Sequence, residues 1–240
     1  MSKDIRFKKG ADLNLNGKAK KIINRDSISD SYAILPDDFF SLVPKMSVRE
    51  GDEVSQGTPI FYDKKNPSIN FVSPVSGIVS HINRGAKRKI ESIIIKNEGK
   101  REVIHEIPKE LDKKSIIELL AISGCWPFIR QRPYNIIADL KSTPKNILVS
   151  CFTTAPLDVD FDFIIKNNVK DFQLGIDILN KLIDNQVILT VNEKTSKFFR
   201  NIQNTKTVEI RGPHPSANAS VQIQKISPIN IGEKIWVLRP

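Results

Sequence analysis

The chain has 240 residues, 40% of them hydrophobic, and carries a formal net charge of +10 at pH 7. This length accommodates two ordinary domains, and the balance of apolar and charged residues excludes a wholly disordered chain. No run approaches about 18 consecutive apolar residues, which argues against a membrane-spanning helix. The N-terminal sequence MSKDIRFKKG lacks the apolar segment of a secretory signal, so we expect the chain to stay in the cytoplasm.

The cysteines and the basic charge exclude further classes. Cys125 and Cys151 stand apart from each other and from any histidine at ligand spacing, so we predict neither a metal site nor an iron–sulfur cluster. Basic runs lie at Lys18–Lys21 and Ala86–Lys89, but the general enrichment in Lys, Asn and Ile is typical of compositional drift. No nucleic-acid-binding signature accompanies the charge, so nucleic acid is not a predicted partner.

The first 104 residues contain short strands separated by turns. Residues 1–35 are predicted to form an N-terminal strand and arm. Turn residues then recur at close intervals through residues 36–104, for example at Gly57 and Ser73–Gly77, which predicts a compact β barrel or sandwich. The β-branched segment Ile90–Lys96 is the predicted closing strand.

Part of this region resembles a biotinyl or lipoyl carrier domain. In the resemblance, carried by Val48–Val79, the modified lysine lies eleven residues before the glycine of the turn at Ser73–Gly77. Counting back eleven residues reaches Asn66, and by this count neither Lys64 nor Lys65 lies at the hairpin tip. We therefore predict a barrel-sandwich hybrid that carries neither biotin nor lipoate and whose exposed turn contacts a partner subunit.

The apolar period then changes from two to about 3.6. Residues 105–145 are predicted to hold a helix, capped by Ser115 or Asp112 and ending at Gly124, and a connecting loop. Residues 146–240 alternate strand and helix, which predicts a Rossmann-like α/β domain with a largely parallel sheet. Because the chain stops on a strand-like segment, we expect a truncated domain. The predicted elements are Asn146–Phe152, Phe161–Asn168, Gln173–Asp184, Val187–Val191, Thr195–Gln203 and Thr207–Ile210.

Five motifs in a fixed order carry a second resemblance. They are KKGADLNLNG at Lys8–Gly17, PKMSVREGDEVSQGTPIFYDKKNP at Pro44–Pro67, SPVSGIVSHINRGAKRKIESIIIK at Ser73–Lys96, W-x-x-x-R-x-R-P at Trp126–Pro133 and GPHP at Gly212–Pro215. Together they resemble NqrA, one of the subunits of the sodium-translocating NADH:quinone reductase (the Nqr complex), over roughly the first half of that family's usual length. One departure is Cys151–Leu157, where the family's acidic residue and asparagine are replaced.

The resemblance implies a mixed α/β, peripheral subunit on the cytoplasmic face of the bacterial inner membrane. Its partners are the membrane subunits of the complex. The complex reduces ubiquinone with NADH and couples this reaction to sodium export, whereas the isolated chain is expected to be inactive. Two other functions remain open: a carrier modified at Lys64 or Lys65, and a purely structural assembly subunit that never contacts quinone.

The resemblance also bears on cofactors. Flavin-binding relatives of the family hold the flavin phosphate with a glycine-rich loop near the start of their α/β domain. At the comparable place this chain reads SGCWPFIRQRPYN, in which Pro127 and Pro133 each lack an N–H donor. The chain contains no G-x-G-x-x-G fingerprint either. We therefore predict that it binds no FMN.

No catalytic constellation is visible, so no catalytic residue is predicted. A quinone site needs an apolar slot and one or two hydrogen-bond donors for the carbonyl groups. The sequence offers five candidate contacts: Trp126, Phe128, Arg130, Arg132 and His214. In the alternative interpretation, the two aromatic residues belong to the core and the arginines form ion pairs.

Overall fold

The computed structural model describes residues 3–17, 19–24, 28–195 and 197–240. Three predicted features extend outside these ranges: the arm at 1–35, the basic run Lys18–Lys21 and the helix Thr195–Gln203. The chain divides into two compact units, which we call the α/β unit and the β unit. The α/β unit comprises Met1–Ile22, Arg130–Asn135 and Asp139–Pro240, and the β unit comprises Ile23–Ile129 and Ile136–Ala138.

Fourteen strands and five α-helices are numbered along the described residues. The strands are β1 Lys3–Arg6, β2 Ser31–Ile34, β3 Pro44–Met46, β4 Glu53–Val54, β5 Pro59–Asp63, β6 Asn66–Val72, β7 Gly77–Arg84, β8 Ile90–Asn97, β9 Arg130–Arg132, β10 Ile136–Ile137, β11 Asn146–Ser150, β12 Val187–Val191, β13 Thr205–Arg211 and β14 Ile235–Leu238. The helices are α1 Lys113–Ile122, α2 Phe161–Ile165, α3 Val169–Asn180, α4 Lys197–Arg200 and α5 Ala219–Ile226. In this part of the chain no helix is long and apolar enough to cross a bilayer.

The β unit contains two antiparallel sheets, ordered β2-β8-β7-β4 and β3-β5-β6. Apolar and polar residues alternate along their strands, because one face of each sheet is buried. The predicted closing strand is confirmed as β8. The core of the unit is built from Val54, Ile60, Phe61, Ile69, Phe71, Val79, Ile93 and Ile95.

The hairpin β5–β6 corrects one prediction. Asp63 and Asn66 pair across it, so Lys64 and Lys65 are the two residues of the connecting turn, and both are exposed. The nearly buried Asp63 carboxylate closes the turn by accepting the N–H of Lys65 at 3.1 Å. The prediction that neither lysine lies at the tip is wrong. Counting back from the SPVSG turn assumes an unbroken ladder, whereas the β5–β6 register shifts between Tyr62 and Asp63.

The α/β unit is built on a largely parallel sheet, as predicted. Its strands lie in the order β1-β13-β12-β11-β14-β9, and only β9 pairs antiparallel with its neighbour. The chain moves outward from β11 to β12 and β13, and then returns to place β14 on the other side of β11. This order is that of a doubly wound fold. Strand β12 is buried along its whole length, as expected where helices cover both faces.

The first strand differs from the predicted organisation. Instead of forming a separate arm, β1 extends the α/β sheet by pairing in parallel with β13, and Ile5 lies opposite Ile210. The helix predicted in residues 105–145 belongs to the β unit. Its N-cap is Asp112, whose carboxylate accepts the N–H of Ser115 at 2.8 Å, so the alternative start is the correct one. Gly124 follows the helix with a left-handed φ of +77°.

The remaining elements match the predictions unevenly. Strand β12 has the predicted bounds, whereas the helix predicted at Gln173–Asp184 begins earlier, at Val169, and ends at Asn180. The predicted loop Trp126–Pro133 contains a short 3₁₀ turn and the strand β9. Helix α5 was not predicted, although Asn218 caps it by accepting the N–H of Ser220.

Candidate functional site at the carboxyl edge of the parallel sheet

The ends of the parallel strands define one candidate site. Strands β11 to β14 run in the same direction, so the loops that follow them gather at one edge, which we call the carboxyl edge. Doubly wound folds bind their ligands in a crevice outside this edge. One cavity of about 450 Å³ lies there, beside Thr153 and Asp158 of the loop after β11. A second, of about 320 Å³, is lined by Asp12, Thr154 and Asn192.

Two of the sequence motifs meet at this edge. The N–H of Ala11 donates to the carbonyl oxygen of His214 at 3.0 Å, and the N–H of His214 donates to the carboxylate of Asp12 at 2.8 Å. A Cβ atom at Gly10 would lie 2.1 Å from that same carbonyl oxygen, and φ there is +142°, so only glycine fits. The KKGADLNLNG and GPHP motifs, about 200 residues apart in the chain, therefore form one structure.

The ring of His214 has a defined hydrogen bond in this structure. Its Nδ1 lies 3.1 Å from Oγ1 of Thr154, and the same oxygen accepts the N–H of Ala217 at 3.4 Å. Which of Nδ1 and Oγ1 donates in this contact depends on the tautomer of the ring. His214 is exposed, so its ring is accessible to a ligand or a partner.

A network of buried polar side chains connects the elements that form the carboxyl edge. Gln222 of α5 is fully buried and accepts the Thr190 hydroxyl at 3.0 Å. Its amide nitrogen lies 3.2 Å from both Oγ of Ser150 and the carbonyl oxygen of Ser216. The network therefore ties α5 to β11, β12 and the loop after β13. Sequence reasoning missed it, because α5 itself was not predicted and no motif marks these four residues.

The acidic side chains of Asp158 and Asp160, in the loop after β11, are each paired with a basic side chain. Asp158 accepts from Thr153 at 2.8 Å and from Arg239 at 3.0 Å, while Asp160 forms an ion pair with Lys21 at 2.6 Å. The hydrogen bond from Lys21 lowers the pKa of Asp160 below its ordinary value. Each of these carboxylates is therefore held ionised beside a cation.

The same loop occupies the position where a doubly wound fold holds a phosphate. The family resemblance predicts that position at SGCWPFIRQRPYN, but this segment contains the 3₁₀ turn and β9, which is antiparallel to β14. The corresponding loop is Cys151–Leu157, which follows β11. It contains no glycine, and the helix after it, α2, has only 5 residues. The absence of FMN stays a prediction, now attached to a different loop.

The five predicted quinone contacts are distributed over both units. Trp126 and Phe128 belong to the β unit, whereas Arg130, Arg132 and His214 belong to the α/β unit. The five therefore do not form one site within either unit. Trp126 is fully buried and donates its indole N–H to the carbonyl oxygen of Ala138 at 2.8 Å, so its ring is not accessible to a ligand in this structure.

Phe128 lies in a different environment. It is 67% exposed, and its ring contacts Phe39 edge-on with centroids 6.3 Å apart. Both rings line a cavity of about 330 Å³ within the β unit. The backbone N–H groups of Phe39, Ser73 and Phe128 already donate to carbonyl groups, so they offer the cavity no free donor. The apolar part of the lining consists of Ala33, Ile34, Leu35, Phe39, Phe71, Val72, Pro74, Pro127 and Phe128.

Comparison with known families follows the same two-part division. Residues 5–98 match the model of the NqrA N-terminal barrel-sandwich hybrid domain, and residues 111–240 match that of the NqrA second alpha/beta domain. The chain belongs to the NqrA family. This confirms the family resemblance and the fold class, a barrel-sandwich hybrid followed by an α/β domain. The N-terminal match begins inside β1, a strand that the structure assigns to the α/β unit.

Individual NqrA relatives are similar to nearly the whole chain. The NqrA subunit of the Na(+)-translocating NADH-quinone reductase of Histophilus somni (strain 129Pt) is 32% identical over 239 residues, covering 98% of this chain and 54% of the relative. The NqrA of Pasteurella multocida is likewise 32% identical, with the same coverage. That of Mannheimia succiniciproducens is 34% identical, covering 97% and 53%. The chain spans about half the length of the curated relatives it matches.

The two cysteines of this NqrA-family chain should react differently. Cys125 is exposed, whereas Cys151, directly after β11, is buried, and burial raises the pKa of its thiol well above the ordinary value. Because the thiolate is the reacting species, iodoacetamide at neutral pH should alkylate one thiol of the folded chain and both in denaturant. Intact mass distinguishes the two. Two adducts on the folded chain would show that the loop after β11 opens.

Proposed function

We propose that this chain is a peripheral, cofactor-free subunit of a sodium-translocating NADH:ubiquinone reductase. It lies on the cytoplasmic face of the bacterial inner membrane and contributes to ubiquinone reduction coupled to sodium export. The observation that carries this proposal is the match of both NqrA domains, in order, along nearly the whole chain. On this proposal the electron carriers and the ion path belong to the other subunits, and the isolated chain is inactive.

One feature supports the absence of a bound flavin. The loop after β11 presents Phe152, Thr153 and Pro156 where a flavin-binding loop needs glycines for close backbone approach to a phosphate. In the β unit, Lys64 and Lys65 form the exposed turn of the β5–β6 hairpin. We propose that this exposed basic turn contacts another subunit instead of carrying biotin or lipoate.

The quinone contact is best supported at Phe128. Its ring is accessible and stands at an aromatic cavity of about 330 Å³, which suits an apolar ring or chain. Trp126 is not part of the proposed quinone contact, because its side chain is buried. Arg130, Arg132 and His214 belong to the α/β unit and do not line this cavity, so each remains a separate candidate for a quinone contact.

Photolabelling with a quinone analogue tests this contact. Phe128→Ala should lower saturable labelling of the β unit at least fivefold. Phe40→Ala is the matched control, because Phe40 is 64% exposed in the same unit and does not line the cavity. Equal labelling of both variants would remove the quinone contact from this cavity.

Co-purification tests the assignment to the complex. The tagged chain, isolated in mild detergent from the membranes of its own cells, should bring membrane subunits with it and an NADH oxidation that sodium stimulates. Purification of the chain alone would contradict the proposal. Co-purification without any labelling by quinone analogues would favour a purely structural assembly subunit.

A further inference from the structure

Strand β1 has one free edge. It lies at the end of the strand order of the α/β sheet and pairs only with β13 among the strands that the structure describes. Its register with β13 runs without interruption from Lys3 to Arg6. A strand at the end of a sheet presents unpaired backbone N–H and C=O groups on its outer side, and these groups can pair with a further strand.

The outward backbone groups of β1 belong to Asp4 and Arg6. The N–H of Phe7 donates to the carbonyl oxygen of Arg211 at 2.8 Å, so the backbone of Phe7 faces β13. Consecutive residues of a strand direct their hydrogen-bonding groups to opposite sides. The backbone of Ile5 therefore also faces β13, whereas the N–H and C=O groups of Asp4 and Arg6 point away from it. These groups have the spacing that a strand ladder requires.

The strand is held in place, and there is room beside it. Ile5 and Phe7 pack against the apolar core of the α/β unit, which fixes the position of β1. Residues 4–8 line a cavity of about 710 Å³ together with Glu193 and residues 211–213. A strand that is already ordered loses little conformational freedom on binding, so this edge is prepared for a partner.

Positive charge predominates at this edge. Arg6 and Lys8 are exposed and form no ion pair with the residues that the structure describes. The carboxylate of Asp4 lies 3.8 Å from the guanidinium of Arg211, and the other acidic residue of the cavity lining is Glu193. The lining therefore holds three cations and two acids. Such an edge disfavours an apolar or basic strand and favours an acidic one, because opposite charges on neighbouring strands stabilise the pair.

We propose that the free edge of β1 binds an extended acidic segment of another subunit, which adds a strand to the sheet. The backbone of this segment pairs with Asp4 and Arg6, and its acidic side chains lie opposite Arg6 and Lys8. Strand addition of this kind takes its affinity from main-chain hydrogen bonds and its selectivity from side chains. The inference rests on the proposed function for the presence of other subunits, and it adds the surface and the chemistry of one contact.

Hydrogen exchange at single residues, measured by mass spectrometry with electron-transfer fragmentation, tests the pairing in the intact complex. The amides of Asp4 and Arg6 should exchange about tenfold more slowly in the complex than in the isolated chain, because a backbone hydrogen bond must open before exchange. The amide of Phe7 is the internal control, since its bond to Arg211 is present in both states. Unchanged exchange at Asp4 and Arg6 in a complex that contains the chain would overturn this contact and leave the proposed function standing. A chain that purifies alone would overturn both.

Rebinding of the purified chain to membranes of cells that lack it separates the contribution of the backbone from that of the charge. Arg6→Pro removes the outward N–H and should bind about tenfold more weakly than Arg6→Ala, which keeps it. Arg6→Glu should bind about tenfold more weakly than the wild type, because it places an acid opposite an acid. Lys170→Glu is the matched control: it reverses an exposed charge on α3, outside the cavity lining, and should bind like the wild type.

The variants and the isolated chain can also contradict the contact. Equal binding of Arg6→Pro and Arg6→Ala would exclude strand addition, and equal losses in Arg6→Glu and Lys170→Glu would exclude an acidic partner. Protection of Asp4 and Arg6 that grows with the concentration of the isolated chain would assign the edge to a second copy of the chain and overturn the proposal. If Arg6→Pro fails to fold, the exchange comparison of the wild-type chain and the binding of Arg6→Glu still decide.

Discussion

Replacing Trp126 with alanine should lower the free energy of unfolding of the β unit by about 3–5 kcal/mol. The ring is fully buried, and its indole N–H donates to the Ala138 carbonyl at 2.8 Å. The substitution therefore opens a large cavity and leaves a buried acceptor without its donor. Urea denaturation followed by far-ultraviolet circular dichroism measures the loss.

Phe128→Ala is the control for this substitution. Phe128 lies two residues further along the chain but is 67% exposed, so its loss should cost less than about 1 kcal/mol. The two substitutions should therefore change different quantities. Trp126→Ala lowers the stability of the β unit, whereas Phe128→Ala lowers its labelling by the quinone analogue. A Trp126→Ala chain of wild-type stability that no longer binds quinone would restore Trp126 as a contact.

Gln222→Leu should lower the free energy of unfolding of the α/β unit by about 2–4 kcal/mol. Leucine fills a similar volume, but the hydroxyl groups of Thr190 and Ser150 and the carbonyl of Ser216 lose their buried partner. Each unsatisfied buried group costs about 1–3 kcal/mol, reduced by any relaxation that restores a partner. Chemical denaturation of the variant measures the change.

Gln224→Leu is the matched control on the same helix. Gln224 is exposed, so its replacement should change stability by less than about 0.5 kcal/mol. Equal stabilities of the two variants would mean that the buried network contributes nothing. In that case the connection of α5 to the carboxyl edge would rest on apolar packing alone.

Short-range patterns in the sequence were enough to predict much of the fold. The β-branched run Val187–Val191 is bounded by polar residues, and it forms β12 at the predicted limits. Alternating strand and helix patterns likewise predicted the parallel sheet. These features depend on residues close together in the chain, which is the range over which periodicity carries information.

Features that depend on distant residues could not be predicted. Nothing in the short strand Lys3–Arg6 identifies β13 as its partner, and nothing in the motifs alone shows that Gly10 packs beneath His214. The irregular register of β5–β6 moved the hairpin tip away from the counted position. For Trp126, the same aromatic residue in a Pro-rich segment is compatible with a core or a ligand contact, and only the three-dimensional packing shows its burial.

The absorption spectrum and intact mass of the chain, purified from its own cells, decide most directly whether it works without a cofactor. The proposed function predicts no absorption band in the visible range and no added mass on Lys64 or Lys65. A flavin band that stays with the folded chain would contradict the interpretation of the loop after β11. An added biotinyl or lipoyl mass on Lys64 or Lys65 would contradict the proposal that the β5–β6 hairpin carries no cofactor. It would identify the chain as a carrier.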